Sequence, residues 1–141
     1  MNAHQVHLLR KSFAAIEAHG AIAALLFYRL LFQRHPGLRP LFTGGIEEQS
    51  AKLIAMLGAL IAMLGEDRHL TAELEAMGAR HAGYGVCASH YDAVGHALLA
   101  MAAEVMGEHF TAEVRDAWTA LYRMVAEAMQ RGAAAAAIPA R

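Results

Sequence analysis

A single cysteine, Cys87, stands in a chain of 141 residues. An internal disulfide is therefore excluded, and the composition suits a reducing compartment such as the cytoplasm. The lone thiol reads more readily as a small buried hydrophobe than as a reactive group. Charge is also scarce. Asp, Glu, Lys and Arg make up 18% of the chain, twelve basic residues against thirteen acidic ones, and neither sign forms a block. That distribution argues against nucleic acid as a partner, since phosphate binding needs clustered basic residues. No apolar stretch approaches the ~18 residues of a membrane span. The first ten residues carry His4, His7 and Arg10 and do not resemble a signal peptide. Sustained apolar–polar alternation is missing, so strands are not expected. There is no internal repeat, no linker that would separate domains and no glycine-rich phosphate loop.

What the chain has in abundance is apolar side chains: 57% are hydrophobic, with a mean hydropathy of +0.29. One domain of this length buries about 68–70% of its unfolded surface. The surplus implies a large core, a subunit interface such as that of a homodimer, or the lining of a site for an apolar ligand.

Helical periodicity runs through every long segment. Val6, Leu9, Phe13 and Ile16 mark a first helix that ends near Gly20. Residues 21–33 are apolar nearly all round, as in a helix buried between others. His35-Pro36-Gly37 breaks it, because the residue before proline avoids the α region, and Pro36 to Phe42 reads as one short turn. After Thr43-Gly44-Gly45, a helix spans about Ile46 to Leu64. Another covers about Leu70 to Ala82 and ends at Gly83-Tyr84-Gly85. Ser89 reads as the cap of the next helix, with Asp92 in its first turn, and Thr111 as the cap of the last. Residues 1–131 thus read as one all-α domain of six or seven helices. Residues 132–141, alanine-rich with Pro139, read as a frayed tail.

Among nine histidines, His81 alone lies on the apolar stripe of a helix, with Leu70, Leu74 and Met77. An inward imidazole is either a hydrogen-bonded core residue or a metal ligand, because leaving it unpaired costs about 1–3 kcal/mol. Gln49 extends the stripe formed by Leu53, Met56, Leu57, Leu60 and Leu64. Its amide either reaches solvent or stands as a donor at the mouth of an apolar cavity. Tyr28, in the buried second helix, needs a partner for its hydroxyl. Phe42 ends the short turn with a large flat ring. The other histidines sit at helix ends or on polar faces, and the eight methionines fill gaps in the core.

Several ordered motifs together carry a resemblance: Phe27-Tyr28-Arg29-Leu30-Leu31-Phe32, His35-Pro36, Arg39-Pro40-Leu41-Phe42, Gln49, Arg80-His81-Ala82-Gly83-Tyr84-Gly85-Val86, His90-Tyr91-Asp92-Ala93-Val94-Gly95, and Ala117-Trp118 with Tyr122. Over residues 5–130 the chain resembles the globin family, and in particular the bacterial single-domain haemoglobins and the haem domain of flavohaemoglobins. The resemblance implies a globin fold and haem b (iron protoporphyrin IX). It implies His81 as proximal iron ligand, its second ring nitrogen oriented by a carbonyl or side chain. It implies Phe42 as the ring stacked on the haem and Tyr28 with Gln49 as the distal donors to an iron-bound ligand. Leu53, with Phe27 and Leu57, would wall the distal side, Val94 would touch the haem on the proximal side, and Tyr91 would stand beside the proximal histidine. Arg80 is either a partner for a haem propionate or a solvated surface arginine.

A distal tyrosine and glutamine imply tight dioxygen binding with slow release, and binding of nitric oxide and carbon monoxide at the same place. Nitric oxide dioxygenation, with a separate flavin reductase, is the enzymatic expectation. Dioxygen storage or delivery, and a gas sensor or interaction module on a globin scaffold, are the competing ones. One departure stands out. Many relatives carry a glutamate late in the last helix, paired with a tyrosine matching Tyr91, whereas Met129-Gln130-Arg131-Gly132-Ala133 has no acid. Peroxidase-like chemistry, which relies on electron push from the proximal side, is expected to be weak.

Overall fold

Six α-helices and two short 3-10 turns build the computed structural model, which describes residues 1–42 and 44–136; no strand occurs among them. The first helix, α1 (Ala3–Glu17), starts with a reciprocal cap: the Gln5 backbone N–H donates to the Asn2 side chain at 2.8 Å, and the Asn2 backbone N–H donates to the Gln5 side chain at 3.2 Å. The pair satisfies two donors that a helix start would otherwise leave free. α2 (Gly20–Arg34) ends where expected, at His35, whose φ of −135° leaves the α region ahead of Pro36. The 3-10 turn Pro36–Leu41 then delivers Phe42. α3 (Ile46–Ala62), α4 (Asp67–Gly83), α5 (Ala88–Met106) and α6 (Ala112–Ala136) follow. Thr111 opens α6, accepting from the Val114 backbone N–H at 3.3 Å.

Three boundaries correct the sequence reading. α4 begins at Asp67, three residues before Leu70, with the Asp67 carboxylate in its first turn where the helix dipole favours it. α5 is capped by Cys87, not Ser89: the Cys87 backbone N–H donates to His90 Nδ1 at 3.0 Å, and the Cys87 side chain takes the reciprocal place. Serine is the better intrinsic cap, but the partner three residues on sets the register. As a cap, Cys87 is exposed, not buried. α6 continues past Gly132 to Ala136, with Gly132 buried. The frayed tail therefore does not begin at Gly132, and residues 137–141 lie outside the described residues.

The fully buried side chains include Leu9, Ile16, Leu31, Leu70, Leu74, Met101, Trp118 and Leu121. Each leucine of this kind contributes about 1.5–3 kcal/mol of burial free energy. At the centre, the Trp118 indole N–H donates to Ser12 Oγ at 2.9 Å, and the Ser12 hydroxyl donates to the Leu8 carbonyl at 2.7 Å. The buried indole is thereby satisfied.

Packing among the helices decides where a site can lie. α2 packs on α3 and α5, and α1 bridges α3, α5 and α6. α4 packs extensively on α6 and only marginally, if at all, on anything else. Consecutive helices α3 and α4 therefore stand apart. No single helix among the described residues is long and apolar enough to cross a membrane.

Candidate functional site

Tyr28 lies in the middle of α2, whose all-round apolar sequence buries it to 4% exposure. Its hydroxyl donates to the backbone carbonyl of Gln49, in the first turn of α3, at 3.2 Å. Burial pushes the phenol up to about 12, so it remains a protonated donor well above neutral pH. The ring meets Phe27 edge-on at 5.0 Å, Phe32 stacked at 5.9 Å and Phe42 edge-on at 5.5 Å. Phe32 and Phe42 are themselves edge-on at 5.4 Å, a geometry that aromatic quadrupoles favour. Arg39, exposed, holds this corner: its guanidinium lies 5.4 Å over the Phe32 ring and donates to the Phe42 carbonyl at 3.0 Å. Gly44, at φ +97°, turns the chain into α3 in a conformation that side chains rarely adopt. Gln49 is partly buried, Leu53 one turn later is partly buried, and Leu57 is buried. The structure thus brings Phe27, Tyr28, Phe42 and the Gln49 main chain together, with Leu53 and Leu57 further along α3.

On α4, His81 is partly buried and its Nδ1 lies 2.7 Å from the Met77 carbonyl oxygen. A carbonyl only accepts, so Nδ1 carries the proton and the neutral ring keeps its lone pair on Nε2. The expected orienting partner is therefore present, supplied by the preceding turn of the same helix. The apolar stripe itself divides. Leu70, Leu74 and Gly78 are buried, while Met77 and His81 on its edge are partly exposed. The ring of Tyr84, itself exposed, lies 5.8 Å from that of His81.

α5 contributes Val94, partly buried, and Tyr91, buried to 8% exposure. The Tyr122 hydroxyl donates to the Tyr91 carbonyl. Its ring covers Gly95 so closely that a Cβ there would lie 2.6 Å from a ring carbon. Desolvation raises both phenols, Tyr122 further than Tyr91. Arg80 is exposed. Two buried hydroxyls, Ser50 Oγ and Tyr91 Oη, have no protein partner among the described residues. Ser50 escaped the sequence reading. Its signal was a polar residue beside Gln49 on a helix whose remaining inward positions are apolar.

A donor set of one imidazole does not hold an iron ion alone, and no group of three or more His, Cys, Asp or Glu gathers among the described residues. A single partly buried imidazole, partly exposed apolar side chains on α3 and α5, and an orphaned buried phenol would suit a macrocycle that brings its own iron ligands. Two open surface depressions, one lined by Glu127, Gln130, Arg131 and Ala134, the other by Asp67, Arg68, Thr71, Ala72 and Glu75, contain none of these residues.

The class follows from fold and site together: the sequence model of the globin family matches residues 25–129, and the chain belongs to that family of haem proteins. Within it, the chain is similar to the haem domain of bacterial flavohaemoglobins. It is 32% identical over 123 residues to a flavohemoprotein of Bordetella pertussis and 30% identical over 128 residues to one of Deinococcus radiodurans. These matches take in 85% and 89% of this chain but 31% and 32% of the relatives, so the chain spans about a third of their length. Among solved structures it is similar to an engineered carbene transferase derived from a Rhodothermus marinus protein assigned as a nitric oxide dioxygenase. The TM-score is 0.83 at 30% identity, over 96% of this chain and 94% of that one. The all-α globin fold is therefore shown by an independent backbone as well as by sequence.

Proposed function

We propose that the protein carries haem b with His81 as axial ligand and binds dioxygen, nitric oxide and carbon monoxide on the side of Tyr28 and Gln49, in the cytoplasm. The observation that carries this reading is the 2.7 Å contact between His81 Nδ1 and the Met77 carbonyl, which fixes the ring tautomer and leaves Nε2 as the donor. When bound, the haem iron supplies the coordination position for a diatomic gas and a one-electron redox couple.

The chain's residues do the rest. Phe42, Leu53, Leu57 and Val94 would offer apolar contact to the macrocycle and exclude water, and the exposed Arg80 would pair with a propionate. Tyr91, a buried phenol whose hydroxyl has no protein partner among the described residues, would face the proximal side. The Tyr28 hydroxyl, now on a 3.2 Å bond to a carbonyl, is a donor that can be redirected toward a polar diatomic ligand, and the Gln49 amide is a second. A hydrogen bond to a partly charged acceptor is worth about 1.5–3 kcal/mol, and more where water is excluded. That favours retention of dioxygen over delivery.

For activity, we infer nitric oxide dioxygenation: nitric oxide, dioxygen and one electron give nitrate, the electron coming from a flavin reductase. The names of the relatives support this reading. Purification with haem, the Soret band in the wild type and in His81→Ala, and a count of nitrate formed per haem test it. A wild type that takes up no haem overturns it.

A further inference from the structure

α4 carries His81, yet it is joined to the rest of the molecule almost entirely through α6. Two glycines make that junction. A Cβ added at Gly78 would lie 1.8 Å from the Met129 carbonyl oxygen, and a Cβ added at Gly132 would lie 1.9 Å from the Glu75 carbonyl oxygen. In both cases the obstacle is main chain, which has no rotamer by which to move aside. The contact is reciprocal. Glu75 and Gly78 on α4 face Gly132 and Met129 on α6, and the two backbones touch at both ends of one turn. His81 follows Gly78 by three residues, and its ring is fastened to the carbonyl of Met77, the neighbour of Gly78.

We propose that Gly78 and Gly132 are positioning residues for the axial ligand: the separation of α4 and α6 that they permit sets the height and tilt of His81. This rests on the haem-binding reading above. It also gives a physical reason for part of the departure in the last helix. At Gly132 no side chain fits, acidic or otherwise, because the α4 main chain occupies the place its Cβ would take. His81 is accordingly steered by a neutral carbonyl and by helix placement rather than by a nearby carboxylate.

The test compares haem-loaded wild type with Gly78→Ala, Gly132→Ala and Gly83→Ala. Gly83 lies on α4 two residues beyond His81, and a Cβ there meets nothing within 4 Å. In the ferrous, ligand-free state, the iron–histidine stretching band in resonance Raman spectra should shift and broaden in both Gly78→Ala and Gly132→Ala, and stay in place in Gly83→Ala. A lowered melting temperature with an unshifted band in the first two would show a merely structural contact and overturn the proposal. Should those variants fail to fold, hydrogen exchange on the haem-loaded wild type decides. Amides of residues 77–81 and 129–132 should open together. Much faster exchange of 77–81 would show that the contact does not hold the helix, and would overturn it. Absence of haem from the wild type would instead refute the haem-binding reading itself, before any variant is compared.

Discussion

The Tyr28 hydroxyl and the Gln49 carbonyl, 3.2 Å apart, tie the buried middle of α2 to the first turn of α3. The bond joins the two residues proposed above as distal donors, so the proposed donor and its support are one unit. Replacing Tyr28 by Phe keeps the ring packing against Phe27, Phe32 and Phe42 and removes only the hydroxyl. Loss of a hydrogen bond worth about 1.5–3 kcal/mol predicts a 10- to 150-fold faster release of dioxygen. Gln49→Leu should act in the same direction and less. Carbon monoxide, less polar as a ligand, should respond weakly to either change. Stopped-flow dissociation of both gases checks this, and equal acceleration of both would mean an access effect instead.

His81→Ala removes the axial donor and leaves the apolar walls in place. The variant should lose most of its haem, measured by the Soret absorbance per protein after gel filtration. Full retention with an unchanged ferrous spectrum would place the ligand elsewhere.

Much of this architecture is legible in the sequence because its causes are local. Apolar periodicity gives the helices, His35-Pro36 gives the end of α2, and Thr111 gives the start of α6. Family motifs single out Tyr28, Phe42, Gln49 and His81, and the fold gathers the first three into one cluster with His81 on a separate helix. The features that escaped depend on the particular partner a residue meets, near or far along the chain. Cys87 displaces Ser89 as a cap because of His90, and α6 passes through Gly132 because α4 lies against it. Arg39 becomes part of the site only when Phe32 and Phe42 meet. Glu75 and Gly78 lie more than fifty residues from Met129 and Gly132, so only the fold reveals that pairing, whereas Cys87 with His90 is a local choice that cap propensity alone ranks wrongly.

Stability should fall at high pH through the buried phenols. The folded state raises Tyr28 from the ordinary value near 10 to about 12, and raises Tyr91 and Tyr122 in the same direction. A group with a raised folded value contributes stability that is fully present below the unfolded value, and that stability is lost as pH rises through the folded one. Urea unfolding at a series of pH values should show the loss beginning near pH 10 and continuing toward 12. Tyr28→Phe should make the decline shallower, and an identical slope would rule Tyr28 out as its source.

Ser12→Ala should destabilise the fold without touching the site. It leaves the Trp118 indole N–H buried without its acceptor, at a cost of about 1–3 kcal/mol. The midpoint of denaturant unfolding should drop, while the dioxygen dissociation rate remains that of the wild type.

Nitrate formation is the prediction that separates an enzyme from a store. Nitric oxide and dioxygen combine to nitrate with uptake of one electron, so ferrous protein equilibrated with dioxygen and mixed with nitric oxide should form one nitrate per haem and finish ferric. Repeated turnover should require an electron supply, such as a generic flavin reductase with its nicotinamide cofactor. The proximal side adds a companion expectation. His81 is bonded to a neutral carbonyl, and residues 129–133 offer no acid, so electron push toward the iron is weak and peroxidase activity should be low. Counting nitrate per haem with and without reductase reads both stages. Sustained turnover in the absence of any reductant would break the electron balance, whereas failure of the single turnover, with dioxygen still tightly held, would leave storage as the better account.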